Sequence, residues 1–127
     1  MPVTALIVDD SKLARLVVAK LLRQLKPDWA LAEAANADEA LALIAGQPID
    51  VALLDFNMPG RDGLDLAGAL RAARPEMPIA VISANIQDEI VARTRGVGAT
   101  FLAKPLTEDA LSGFVSGASL RLRRAAS

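Results

Sequence analysis

The chain has 127 residues, 53% hydrophobic but only 3% aromatic, which allows one continuous core and requires that core to be aliphatic. A formal net charge of −1 gives no electrostatic case for nucleic-acid binding. With no cysteine and no histidine, the chain has no disulfide, thiol, imidazole base, imidazole metal ligand or phosphohistidine of its own, so its chemistry must come from carboxylates, hydroxyls, Lys, Arg and backbone.

Short apolar runs alternate with stretches of helical period. Ala5–Val8 is an apolar run that stops at Asp9 and Asp10. From Leu13, apolar residues recur at Leu16, Val17, Leu21 and Leu25, which is helical spacing, and Pro27 stops that helix. Ala30–Ala35 reads as a strand and Asp38–Ala45 as a short helix with Asn36 as its N-cap. Asp50–Leu54 is a second apolar run, followed by Asp55. The segment 56–63 contains Pro59, Gly60 and Gly63 and reads as a loop. Asp62–Ala73 is predicted helical, with Leu64, Ala67 and Leu70 on one face. Pro75 and Pro78 bracket the next connection, Ile79–Ile82 is a third buried strand, and a helix is predicted from Gln87 to Arg95. Gly96 and Gly98 end it. Thr100–Leu102 is a short strand before Lys104-Pro105, and the last helix is predicted over Glu108–Leu122. Arg121, Arg123 and Arg124 read as complements to the carboxyl end of that helix, with a basic docking tail as the sharper alternative.

This (βα)₅ alternation predicts a single α/β domain, a doubly wound parallel sheet covered by helices on both faces. The flavodoxin-like order is 2-1-3-4-5. No apolar run approaches the roughly 20 residues needed to span a bilayer, and the start carries no basic segment of a signal peptide. A soluble cytoplasmic protein without membrane contact is the expectation.

Ligands of open α/β sheets bind at the carboxyl ends of the strands. Asp9 and Asp10 end the first strand, Asp55 the third and Ser83 the fourth, and Lys104 follows the fifth. Each alone could be a cap, a turn or a solvated residue. Together they put three acids, a hydroxyl and an ammonium on one edge. Two carboxylates about 4 Å apart repel by roughly 4 kcal/mol at an effective dielectric near 20. Such a cluster calls for a cation, and oxygen ligands suit Mg²⁺ or Mn²⁺. Lys104 can neutralise one acid, or a phosphoryl oxygen when one is present. The layout suits phosphoryl transfer to a carboxylate.

Asp9-Asp10, the segment Asp55-Phe56-Asn57-Met58-Pro59-Gly60 with Asp62-Gly63, then Ser83-Ala84 and Lys104-Pro105 resemble the receiver domains of two-component response regulators. The resemblance covers roughly Thr4 to Ala118, so residues 1–127 are expected to be one receiver domain with a core of about 4–118. It implies Asp55 as phosphoacceptor, and Asp10 with Asp9 and the Asn57 backbone carbonyl as metal ligands beside Asp55. It further implies Lys104 on the phosphoryl group, a cis bond before Pro105, Ser83 as the switch hydroxyl and Phe101 as the aromatic switch position. Phe101 has no phenol hydroxyl, so any switching must rest on burial. The resemblance also implies that Asn57 and Asn85, each two residues past a site residue, stand where phosphoryl lifetime is tuned in this family. The family often has Gly near position 37, where this chain has Ala37.

The resemblance implies a donor, a histidine kinase or phosphotransfer protein, and a downstream protein target that reads the face of helix 4, strand 5 and helix 5. The chain is then a signalling switch and not a metabolic enzyme, catalysing only its own phosphorylation and dephosphorylation, as a monomer or phosphorylation-dependent dimer. Starting at Met1 and ending soon after its last helix, it is expected to be a stand-alone CheY-type regulator or relay. The alternative is a receiver from a larger response regulator or hybrid kinase. A phosphatase of the haloacid dehalogenase type is a distant alternative; it would want Asp-x-Asp where the chain has Asp9-Asp10-Ser11, and a cap insertion. A flavodoxin would want a phosphate-binding loop where Asp9 and Asp10 would repel phosphate.

Overall fold

The computed structural model describes residues 3–126. The elements run β1 (Thr4–Val8), α1 (Lys12–Leu25), β2 (Ala30–Ala34), α2 (Ala37–Gly46), β3 (Val51–Asp55), α3 (Gly63–Ala73), β4 (Ile79–Ser83), α4 (Asp88–Gly96), β5 (Thr100–Ala103) and α5 (Glu108–Ala126). All five strands are parallel, in the order β2-β1-β3-β4-β5. This is the doubly wound sheet expected from the alternation.

Strand side chains alternate between faces, so the three central strands feed two cores at once. Leu6, Val8, Ala52, Leu54 and Val81 pack with α2 and α3, through residues such as Ile44, Leu66 and Leu70. Ala5, Ile7, Val51, Leu53 and Ile82 pack with α1 and α5, through Val18, Leu22, Leu111 and Val115. Every residue of β3 and β4 is buried. That explains their continuous apolar sequence and leaves polar residues only at the strand ends.

Element ends differ from the sequence reading by small amounts. Asp62 lies outside α3 as its N-cap, its carboxylate accepting from Asp65 N–H at 2.9 Å. Asn36 caps α2 as expected, accepting from Glu39 N–H at 2.9 Å, while Glu39 Oε1 accepts from Ala35 N–H at 3.0 Å. β3 and β4 each run one residue further, to Asp55 and Ser83, and α4 starts at Asp88 rather than Gln87. α5 continues to Ala126 instead of stopping at Leu122. Arg123 and Arg124 are good helix formers and lie in its last turn, where the helix dipole favours cations. Arg121 makes a loose ion pair with Glu76, at 3.8 Å. The largest departure is in α1. Its buried residues are Val18, Ala19 and Leu22, whereas Leu13, Leu16 and Val17 are exposed.

At the amino edge of the sheet, one side chain joins three segments. The Arg71 guanidinium donates to the carbonyls of Val97 (3.0 Å), Gly98 (2.9 Å), Pro75 (2.9 Å) and Met77 (2.6 Å). Burial pushes its pKa down, helped by Arg121 nearby. These bonds tie the end of α3 and the turn before β4 to the carboxyl end of α4. Gly98, at φ 72, takes the left-handed turn needed there. The opposite end of α4 is bare, because Gln87 makes no side-chain cap hydrogen bond.

Candidate functional site

Parallel register sets the site. Val8 pairs with Leu54 and Asp55 with Ile82, while Ser83 pairs with Ala103. The ladder continues past the strand ends: Asp9 N–H donates to Ala34 O at 3.1 Å, Phe56 N–H to Ile82 O at 2.9 Å, and Lys104 N–H to Ser83 O at 3.0 Å. Asp9, Asp55, Ser83 and Lys104 are thereby fixed along one edge of the sheet. Asp10 joins them through the turn into α1.

Carboxylate oxygens of Asp9, Asp10 and Asp55 all lie within 4.8 Å of one another. Asp9 and Asp55 are buried, 6% and 5% exposed, and Asp10 is exposed. Lys104 Nζ lies 2.6 Å from Asp55 Oδ1. Asp55 Oδ1 has no hydrogen-bond partner among the described residues. The lysine therefore meets it as an ion pair without the alignment of a hydrogen bond. Burial raises the Asp9 pKa, and the charges of Asp55 and Asp10 add to that, while the Ser11 N–H bond and Lys104 pull it down. Asp9 Oδ1 accepts from Ser11 N–H at 2.9 Å.

The donor set is oxygen only, three carboxylates around one point with a buried acceptor short of partners, and it fits a hard divalent cation such as Mg²⁺. Asn57 lies exposed in the loop after β3 and lines one surface pocket together with Asp10. Ser83 is fully buried, and its hydroxyl accepts from Asn85 N–H at 2.9 Å. Asn85 Oδ1 in turn accepts from Gln87 N–H at 3.1 Å. Phe101 stands apart from the acids, half-buried on β5, opposite Val81. The peptide between Lys104 and Pro105 is cis.

Sequence reading missed two supports. Gly63 opens α3 directly under the site: a Cβ there would stand 2.5 Å from the Asp55 carbonyl oxygen and 2.9 Å from Phe56 Cα. Only glycine lets the helix come this close. Arg15, on α1, donates from Nη1 to the Asp9 carbonyl and from Nε to Glu33 Oε1 at 3.0 Å.

A match to the response regulator receiver domain spans residues 5–116. The chain belongs to this family. The receiver is 40% identical over 116 residues to the positive alginate biosynthesis regulatory protein of Pseudomonas aeruginosa, a stretch covering 90% of this chain and 46% of that protein. It is 36% identical over 120 residues to the response regulator protein PilR of the same species, covering 94% and 26%. Among solved structures, chemotaxis protein CheY4 of Vibrio cholerae superposes with a TM-score of 0.83 at 28% identity, covering 93% of this receiver and 99% of that chain. The receiver spans about half the length, or less, of the curated relatives it matches. The family is a signalling family of two-component systems and typically binds Mg²⁺ at an acidic pocket. Family membership and the short connections, of which 56–62 is the longest, leave the capped phosphatase without support. No helix among the described residues is long and apolar enough to cross a membrane.

Proposed function

We propose that the chain is a phosphorylation switch, taking a phosphoryl group on Asp55 from the phosphohistidine of a histidine kinase or phosphotransfer protein. The carrying observation is the buried Asp55 carboxylate, paired with Lys104 at 2.6 Å inside a three-acid cluster. An Asp55 oxygen attacks phosphorus in line. The phosphorus–nitrogen bond to the donor breaks, and its electron pair stays on the imidazole. Lys104 leaves its ion pair to hold a phosphoryl oxygen, which keeps positive charge where negative charge develops. Asp9, Asp10, Asp55 and the Asn57 carbonyl would hold Mg²⁺, which supplies further charge neutralisation when bound.

The new phosphoryl oxygens are acceptors, and the Ser83 hydroxyl can donate to one only by turning toward the site. Its bond from Asn85 N–H is the one at risk, so the loop into α4 feels the change. Phe101, half-buried, would respond by burial. The altered α4, β5 and α5 face is read by a downstream protein target, by the monomer or through a dimer formed on phosphorylation. Asn57 and Asn85 flank the path of hydrolytic water and set the phosphoryl lifetime. The cytoplasm is where kinase and target would be met. Two readings of its context remain. One is a stand-alone regulator; the other, supported by relatives of about twice the length, is a receiver within a longer protein.

The test is incubation with Mg²⁺ and a small acyl phosphate, followed by intact-mass spectrometry. One phosphoryl group is expected on the wild type and none on Asp55→Asn. Unchanged incorporation in that variant would move the acceptor elsewhere.

A further inference from the structure

We infer that Arg15 is a positioning residue for the cation site: its guanidinium fixes the backbone of Asp9, with Glu33 as its brace. The inference rests on the reading of the acid cluster as a divalent-cation site.

Arg15 is an anomaly on α1. It continues the buried row of Val18, Ala19 and Leu22 one turn back, and its side chain is only 14% exposed. A charge held on an inward row needs partners. It has two, on different strands: the Asp9 carbonyl at the end of β1, and Glu33 Oε1 on β2 at 3.0 Å. The planar fork of a guanidinium can serve both at once. The effect is to pin the peptide between Asp9 and Asp10, the residues that supply two of the three clustered carboxylates. Glu33 also cancels most of the charge that Arg15 would otherwise turn against a cation, because the two form a compact ion pair. Position and charge therefore make opposite predictions. A site held by Arg15 loses affinity when the side chain is replaced. A site merely repelled by it gains affinity.

Manganese binding, counted from the free-ion signal in electron paramagnetic resonance, measures this without phosphorylation. Wild type is expected to take up Mn²⁺, and Arg15→Met to raise Kd about tenfold, the low end for groups that orient metal ligands. Arg15→Lys should recover part of the loss. Arg15→Lys keeps the charge but not the planar fork, so its Kd should stay at least about twofold above wild type, and it carries the test if Arg15→Met does not fold. Urea melts in EDTA separate this from a plain structural role, which would lower the midpoint and leave Kd of the folded chain unchanged. A Kd within twofold of wild type, or tighter binding, in these variants overturns the inference and leaves the cation site standing. Failure of wild type itself to take up Mn²⁺ overturns both.

Discussion

Replacing Asp9 by Asn should stabilise the metal-free protein. The oxygens of Asp9, Asp10 and Asp55 lie within 4.8 Å of one another. At that separation two unit charges repel by about 3.5 kcal/mol at an effective dielectric near 20. Asp9 feels two such repulsions and one attraction, from Lys104. Asp10 is exposed and the Lys104 side chain is 37% exposed, so water screens part of each. The net relief on removing the charge is about 1–2 kcal/mol. Asn keeps an oxygen for the Ser11 N–H, now bonded at 2.9 Å, so no donor is orphaned. In urea with EDTA the midpoint should rise by roughly 1 M at unchanged slope. The pH dependence has a fixed sign. The folded Asp9 holds its proton above the ordinary value of 3.8, chiefly because burial disfavours its charge. Between that value and the raised one the folded state binds more protons than the unfolded state, so wild type loses stability as pH rises through the window. The advantage of Asn should therefore grow from near nothing below the window to its full size above it. Saturating Mg²⁺ should reverse the ranking, because only the wild type keeps the full ligand set and gains stability by linkage. Equal or lower stability of Asp9→Asn in EDTA at neutral pH would refute the clustering argument.

Arg71→Ala should destabilise by about 3 kcal/mol, because four charge-assisted bonds to carbonyls, two part-buried and two exposed, are lost together; a smaller change than about 1 kcal/mol in thermal or urea melts would show that water replaces them. Gly63→Ala should cost about 1–3 kcal/mol, since its methyl would meet Asp55 and Phe56 backbone rather than a movable side chain, and Mn²⁺ affinity should fall with it. Wild-type stability and affinity in that variant would show that α3 can back away freely.

The sheet was legible because β3 and β4 are buried on both faces, so an apolar run ending in Asp55 or Ser83 had one natural reading. The acid edge followed from it, since strand ends in a parallel sheet share one rim. α1 was harder. Its apolar row Leu13, Leu16 and Val17 has helical spacing yet faces solvent, and the row that packs is less apolar, carrying the small Ala19 and, one turn back, Arg15. Choosing the greasier row hid Arg15, whose inward place was the only sign of its role. Arg71 gave no local signal either, because its partners are backbone carbonyls near positions 75 and 98, and a carbonyl has no sequence identity. Gly63 stood in plain view beside Asp62, but its need arises from the crossing of two backbones that only the fold brings together.

The two ends of α4 are held very differently, and this decides how a message can travel through it. Near the acids, the helix begins just after Gln87, which gives it no side-chain cap, on a loop that hangs from Ser83 and Asn85. At the far end, the carbonyls of Val97 and Gly98, just past its last residue, are laced to the body through Arg71. On the function proposed above, phosphorylation of Asp55 would therefore swing the near end about the held far end, like a door on its hinge, and a reader of this surface would sense a tilt and not a sliding displacement.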